Sequence, residues 1–205
     1  MSTSGKIFAI GDIHGCLSKL VAMLNIIPVT KEDKIVFVGD YIDRGSESKG
    51  VVDFVMDLRA KHSVVCLMGN HERMLLDYLS GINKDLYLFN GGMATLVSYN
   101  NSVPESHMEF FGSLLPYYET NDYIFVHAGM MPNKTPQEQP EDILLWTRVE
   151  FINSDYDFGK KVIFGHTYIG PEPLIMSNKI GIDTGAVFDG LLTCIELPSM
   201  EVYQT

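Results

Sequence analysis

Early in the chain, three short apolar runs end abruptly in glycine-bounded polar clusters: IFAI (Ile7–Ile10) enters GDIHG, IVFV (Ile35–Val38) enters GDYIDRG, and VVCLM (Val64–Met68) enters GNHE. A continuous apolar run of four or five residues reads as a strand buried on both faces. Polar turns alone account for one such junction, since Gly and Asp are ordinary turn residues. Repetition of Asp, His, Asn and Arg at the same end of successive strands asks for more. Two later runs follow the pattern, YIFV (Tyr123–Val126) into HAG at His127 and KVIF (Lys161–Phe164) into GHT at His166.

Between these strands the periodicity changes. Leu17, Leu20, Val21 and Leu24, then Val51, Val52, Val55 and Leu58, then Met74, Leu75, Tyr78 and Leu79 recur at helical spacing. Strands are expected at Lys6–Ile10, Lys34–Val38 and Ser63–Met68, so the first half reads strand, helix, strand and implies an α/β fold with a parallel sheet. Residues 85–115 read as mixed and helical, without a chemical signal. Further strands are expected at Lys179–Ile182, Leu191–Glu196 and Glu201–Tyr203, and Met130–Asp142 reads as a proline-bearing loop. No repeat or linker divides the chain, so its 205 residues are read as one domain, 1–205.

A formal net charge of −11 excludes a broad electrostatic footprint for nucleic acid or anionic membrane. No run approaches the length of a membrane span and no basic, apolar leader opens the chain, so a cytoplasmic protein is expected. Cys16, Cys66 and Cys194 are odd in number and widely spaced, which suggests neither disulfides nor a thiolate metal site. Cys16, beside GDIHG, reads as a small residue filling space at a helix start.

In open α/β sheets the loops beyond the carboxyl ends of the strands converge, so residues distant in sequence share one crevice. Asp12 and His14, two apart, project to one side of an extended segment. Asp40 offers two carboxylate oxygens, enough to bridge two ions, while Asn70, His127 and His166 supply a carbonyl oxygen and two imidazoles. Carboxylates crowded in this way repel unless divalent cations neutralise them. Nitrogen and oxygen donors without thiolate point to Mn²⁺, Fe²⁺/Fe³⁺ or Zn²⁺ rather than an all-oxygen Ca²⁺ cage, and two divalent ions, Mn²⁺ first, are the expected cofactors. Two such ions hold a bridging hydroxide and polarise a phosphoryl oxygen for in-line attack, which makes the chain a phosphoester hydrolase. Arg44 is expected to clamp phosphate oxygens through its planar fork. His71 is expected to protonate the leaving alkoxide, oriented by Asp43.

GDIHG, GDYIDRG and GNHE, in that order and at nearly equal gaps, resemble the phosphoprotein phosphatase branch of the calcineurin-like metallophosphoesterases, whose metal set HAG and GH complete. The resemblance implies a four-layer sandwich of two mixed β-sheets flanked by helices. It implies one metal on Asp12, His14 and Asp40 and the other on Asp40, Asn70, His127 and His166. GHTY in place of GHxH, together with the DRG arginine, is similar to the phosphatase branch. LLWTRVEF resembles the lambda-phage-type and bacterial serine/threonine phosphatases, which makes Arg148 a second phosphate contact. The late SAPNY segment of the eukaryotic enzymes is absent, and IDTGAVFDGLLTCIELP stands in its place; Asp183 and Thr184 in it read as a strand-ending turn or as groups behind the metals. Phosphoserine and phosphothreonine in proteins are the expected substrates, small phosphoesters being the broader class. Ala128 is similar to the symmetrical diadenosine tetraphosphate hydrolases, which keeps dinucleoside polyphosphates as the alternative. A catalytically silent phospho-binding module is the third reading.

Overall fold

The computed structural model describes residues 5–205. Among these residues ten strands form two five-stranded mixed sheets. The first contains β1 (Ile7–Ile10), β2 (Lys34–Phe37), β3 (Ser63–Cys66), β9 (Thr193–Leu197) and β10 (Glu201–Gln204), in the order β10-β9-β1-β2-β3. Within it β1, β2 and β3 are parallel, with Ile7 opposite Lys34 and Lys34 opposite Ser63, while β9 and β10 are antiparallel. The second contains β4 (Tyr117–Glu119), β5 (Tyr123–Val126), β6 (Lys161–Phe164), β7 (Leu174–Ile175) and β8 (Lys179–Gly181), in the order β4-β5-β6-β8-β7. Here β5, β6 and β8 are parallel, and β4 and β7 are antiparallel edges.

Strand alternation builds the layers. Ala9, Val36, Val38 and Ile195 of the first sheet point inward to meet Phe125, Ile163 and Ile180 of the second. Phe8, Ile10, Ile35 and Phe37 point outward onto α1 (Leu17–Ile26), which buries Leu20 and Met23, and α2 (Ser48–Arg59), which buries Val51, Val52 and Val55. On the far side Ile124, Val126, Val162 and Phe164 pack against α7 (Glu141–Trp146) and α8 (Val149–Ile152) through Leu144 and Phe151. Side chains sealed in this way contribute about 1.5–3 kcal/mol each relative to exposure. This is the expected four-layer arrangement, helices on both outer faces of two mixed sheets.

The expected strands form, with ends shifted by a few residues, and β4 and β7 are additional. Residues 85–115 are helical but broken: α4 (Lys84–Tyr87) runs into a five-residue π-turn (Leu88–Gly92), where Gly91 has φ 97°, then into α5 (Met93–Ser98) and, after a turn, α6 (Glu105–Gly112). A kink at positive φ interrupts the 3.6-residue period, which explains why the stretch carries no clean amphipathic pattern. No helix among the described residues is long and apolar enough to cross a membrane.

Candidate active site

The carboxyl ends of β1, β2, β3, β5 and β6 meet at one rim, and each loop that leaves them carries one of the polar clusters. The two sheets are tied there directly: His127 Nδ1 donates to Val38 O (2.9 Å) and the His166 N–H donates to Asp12 Oδ2 (2.9 Å). Gly39 is required at the tightest point. Its φ is 109°, and a Cβ there would lie 2.8 Å from both Gly69 Cα and His127 Nδ1.

Asp12, His14, Asp40, Asn70, His71, His127 and His166 are all buried. Asp40 lies at the centre. Its Oδ2 is 3.4 Å from His14 Nε2 and 4.0 Å from His71 Nε2, while its Oδ1 is 3.4 Å from His127 Nε2. Two triads share it, His14–Asp40–His71 and Asp40–His127–His166, each with its ligand atoms within 4.8 Å of one another. Asn70 joins the second: its Oδ1 is 2.9 Å from His127 Nε2 and 3.0 Å from His166 Nδ1. Asp12 belongs to neither triad, although its Oδ2 is bonded to the His166 backbone and its Oδ1 is buried without a partner. His71 occupies the corner of the first triad where Asp12 was expected.

The chemistry of these donors fits divalent cations. His14 Nδ1 donates to Ile42 O (2.8 Å) and His127 Nδ1 to Val38 O, which fixes both tautomers and leaves each Nε2 lone pair facing Asp40. The Asn70 carbonyl oxygen therefore meets an acceptor nitrogen on His127, a contact that a cation between them resolves. Burial pushes the His14 imidazole down to about 3 and lowers His127 and His166 as well, so all three are neutral and ready to ligate at pH 7. Burial and the charges of Asp183 and Asp40 push the Asp12 carboxyl up, and burial, reinforced by Asp40, raises Asp183 to about 6. Of the five buried polar side-chain atoms without hydrogen-bond partners among the described residues, Asp12 Oδ1, His71 Nε2 and His166 Nε2 belong to this cluster, Thr167 Oγ1 is on the residue after His166, and His62 Nδ1 lies elsewhere. An unpaired buried acceptor such as Asp12 Oδ1 costs roughly 1–3 kcal/mol, a cost that metal ligation would remove.

Beside the cluster, His71 Nδ1 donates to Asp43 Oδ2 (2.7 Å), and both side chains are sealed from solvent. Arg44 is half-buried, and its Nη1 donates to His14 Nε2 (2.5 Å), so the guanidinium reaches the edge of the first triad. Its Cζ also lies 5.2 Å from the ring centroid of the exposed Phe188. Arg148 is exposed at the rim, with Nη1 donating to His166 O (3.2 Å). His107 lies elsewhere, between Tyr99 and Asp53.

Backbone strain concentrates at this rim. His14 (φ 46°), Asp40 (53°), Asp43 (72°), Arg44 (67°) and His166 (63°) all occupy the left-handed region, which disfavours non-glycine residues. Such conformations cost about 1–3 kcal/mol each and persist only where the surroundings hold them. Much of that hold comes from Glu72, a residue to which the sequence assigned no role. Its Oε2 accepts the Asp40 (2.9 Å) and Gly69 (3.0 Å) N–H groups, and its Oε1 accepts those of Tyr41 (2.8 Å) and Ile42 (3.3 Å). The legible signal was its place three residues after Gly69, at the start of α3 (Asn70–Leu79), where a glutamate satisfies orphan helix donors. Thr184 is structural, bonded to Leu191 O and Thr193 Oγ1.

Residues 5–183 match the family model of calcineurin-like phosphoesterases. Serine/threonine-protein phosphatase 1 of Salmonella typhimurium is 30% identical over 91% of this chain and 89% of its own length. A protein of a Geobacillus species named bis(5'-nucleosyl)-tetraphosphatase PrpE, asymmetrical, is 29% identical over 96% of this chain and 92% of its own. Among solved structures, a protein provisionally described as a diadenosine tetraphosphatase superposes with a TM-score of 0.79 at 22% identity, covering 100% of this chain and 94% of that one.

Proposed function

This chain belongs to the calcineurin-like phosphoesterase family and is a hydrolytic phosphoesterase, and from that premise we propose that it is a single-domain, two-cation phosphomonoester hydrolase acting on phosphoserine and phosphothreonine in proteins. The observation that carries this reading is Asp40, whose two oxygens face two separate imidazole sets while the same turn presents Asp43 and Arg44.

In this reading Asp12, His14 and Asp40 hold one cation, and Asp40, Asn70, His127 and His166 hold the other. Mn²⁺ suits the nitrogen and oxygen donors, with Fe and Zn as alternatives. The bound pair supplies Lewis-acid polarisation of the phosphoryl group and lowers the pKa of the attacking water. The protein's own groups do the rest. Arg44, held in its strained backbone conformation, binds and orients the non-bridging phosphate oxygens, and Arg148 adds a second guanidinium from the turn between α7 and α8. His71 Nε2 delivers a proton to the leaving oxygen, while Asp43 holds the other ring nitrogen and so aims the imidazole. The three cysteines are free, in keeping with a cytoplasmic setting.

Phe188 favours a second reading. An aromatic ring 63% exposed beside Arg44 offers a stacking face for a nucleobase whose phosphates lie on the guanidinium. Dinucleoside polyphosphates are then the substrate, in line with the names of several relatives. Those names specify asymmetrical cleavage, whereas Ala128 is similar to the symmetrical enzymes. The two modes differ in product, a mononucleotide plus a nucleoside triphosphate against two nucleoside diphosphates.

The test is a substrate panel after chelation and Mn²⁺ add-back, scoring phosphate release from phosphopeptides and nucleotide products from diadenosine tetraphosphate. Phosphopeptide turnover that is lost on chelation and restored by metal supports the first reading. A strong preference for the dinucleotide supports the second, and activity indifferent to chelation overturns both.

A further inference from the structure

Asp43 has more partners than His71. Its Oδ1 accepts the Tyr87 hydroxyl (2.8 Å) and the Thr95 hydroxyl (2.6 Å), and its own N–H donates to Thr95 Oγ1 (2.9 Å) and Ser48 Oγ (3.1 Å). Asp43, Tyr87, Thr95 and Ser48 are all fully buried. Tyr87 ends α4 and Thr95 lies in α5, and the kink between them makes a third contact: Gly91 O accepts the Arg44 N–H (3.2 Å). The kink is matched to the site. Gly91 takes φ 97°, with Arg44 Cγ 2.9 Å from where a Cβ would sit, and a Cβ on Gly92 would lie 2.5 Å from the Tyr87 ring.

We propose that Tyr87 and Thr95 are positioning residues for the reaction, two hydroxyls from one kinked segment that lock the Asp43 carboxylate so that its free oxygen aims His71 at the leaving group. A carboxylate turns readily about its last side-chain bond. With Oδ1 held by two hydroxyls, Oδ2 has one direction left, toward His71 Nδ1, and His71 Nε2 is thereby directed at Asp40 and the cation cluster. Burial, with the adjacent Asp43 charge, keeps the Tyr87 phenol protonated, so it serves as a constant donor. The same segment fixes Asp43 and Arg44 together, both in the left-handed region, and so couples the proton donor to the phosphate clamp. The proposal rests on the reading of His71 as the general acid.

The test compares kcat/KM for phenyl phosphate, a poor leaving group that needs proton donation, with that for 4-nitrophenyl phosphate, a good one that needs little, in the Mn²⁺-loaded enzyme. Tyr87→Phe and Thr95→Val each remove one hydroxyl with little change of shape, and each is expected to lower kcat/KM for phenyl phosphate about tenfold more than for 4-nitrophenyl phosphate, at unchanged metal content. Thr95→Ser keeps the hydroxyl and is expected to behave as wild type. If Tyr87→Phe fails to fold, Thr95→Val against Thr95→Ser carries the same comparison. Equal losses on both substrates, or none, overturn the positioning role. His71→Asn in the same assay separates the two levels: a leaving-group-selective loss there with none in the hydroxyl variants sinks only this proposal, whereas an unselective loss in His71→Asn sinks the acid assignment beneath it.

Discussion

His71 Nδ1 and Asp43 Oδ2 lie 2.7 Å apart although 28 positions separate the residues in the chain, and neither side chain meets solvent. The pair links the loop after β2 to the first turn of α3. Its free end, His71 Nε2, has no hydrogen-bond partner and faces Asp40, which suits a group that exchanges a proton with substrate.

His71→Asn is therefore expected to lower kcat by about 10²-fold or more while leaving most of the bound metal in place. Steady-state kinetics beside elemental analysis of the same sample check this. Loss of metal in step with activity would make His71 a ligand, as its place in the first triad allows.

Asp40→Asn removes one charged oxygen from a carboxylate that both imidazole sets face. Both metal sites should weaken together, and the metal-to-protein ratio after dialysis should fall for both ions rather than for one. Full occupancy with normal turnover would contradict a shared ligand.

Glu72→Gln replaces an acceptor-only carboxylate by an amide whose NH₂ faces backbone donors. Leaving one or two of the four N–H groups unpaired should cost about 1–3 kcal/mol each, read in urea denaturation. Turnover should drop as well, because the strained turn that carries Asp40 loosens.

Acid should expose the buried imidazoles. His14 has a folded pKa of about 3, below its unfolded value near 6.5, so the unfolded chain takes the proton first. The contribution of a neutral His14 is complete above about pH 6.5 and is lost as pH falls toward 3. In chelated protein, the stability of wild type relative to His14→Gln should decline as pH drops from 7 to 4, by at most about 1.4 kcal/mol per pH unit. A difference that does not vary with pH would mean that His14 protonates freely in the fold.

The strand-end clusters were legible because each apolar run is short, buried on both faces and closed by glycine, and parallel strands bring such ends to one rim. Asp12, His14, Asp40, Asn70, His127 and His166 could thus be gathered from sequence. Tyr87 and Thr95 could not: the kink at Gly91 breaks helical periodicity, and a lone Tyr or Thr in a helix carries no chemical mark. The hold of Glu72 on the Asp40 turn was not legible, because it lies in accepting backbone N–H groups distant in the chain, which no spacing marks. The left-handed backbone at Asp40, Asp43 and Arg44 was equally unreadable, since strain in non-glycine residues depends on contacts from α3 and α5, far along the chain. Edges such as β7, two residues long, are too short to register.

The central claim, that two divalent cations share the Asp40 carboxylate, is tested most directly by anomalous diffraction from crystals grown with Mn²⁺. Two manganese peaks are expected, one against Asp12, His14 and Asp40 and the other against Asp40, Asn70, His127 and His166, with an Asp40 oxygen on each. A single peak, or two peaks that do not share Asp40, would contradict it.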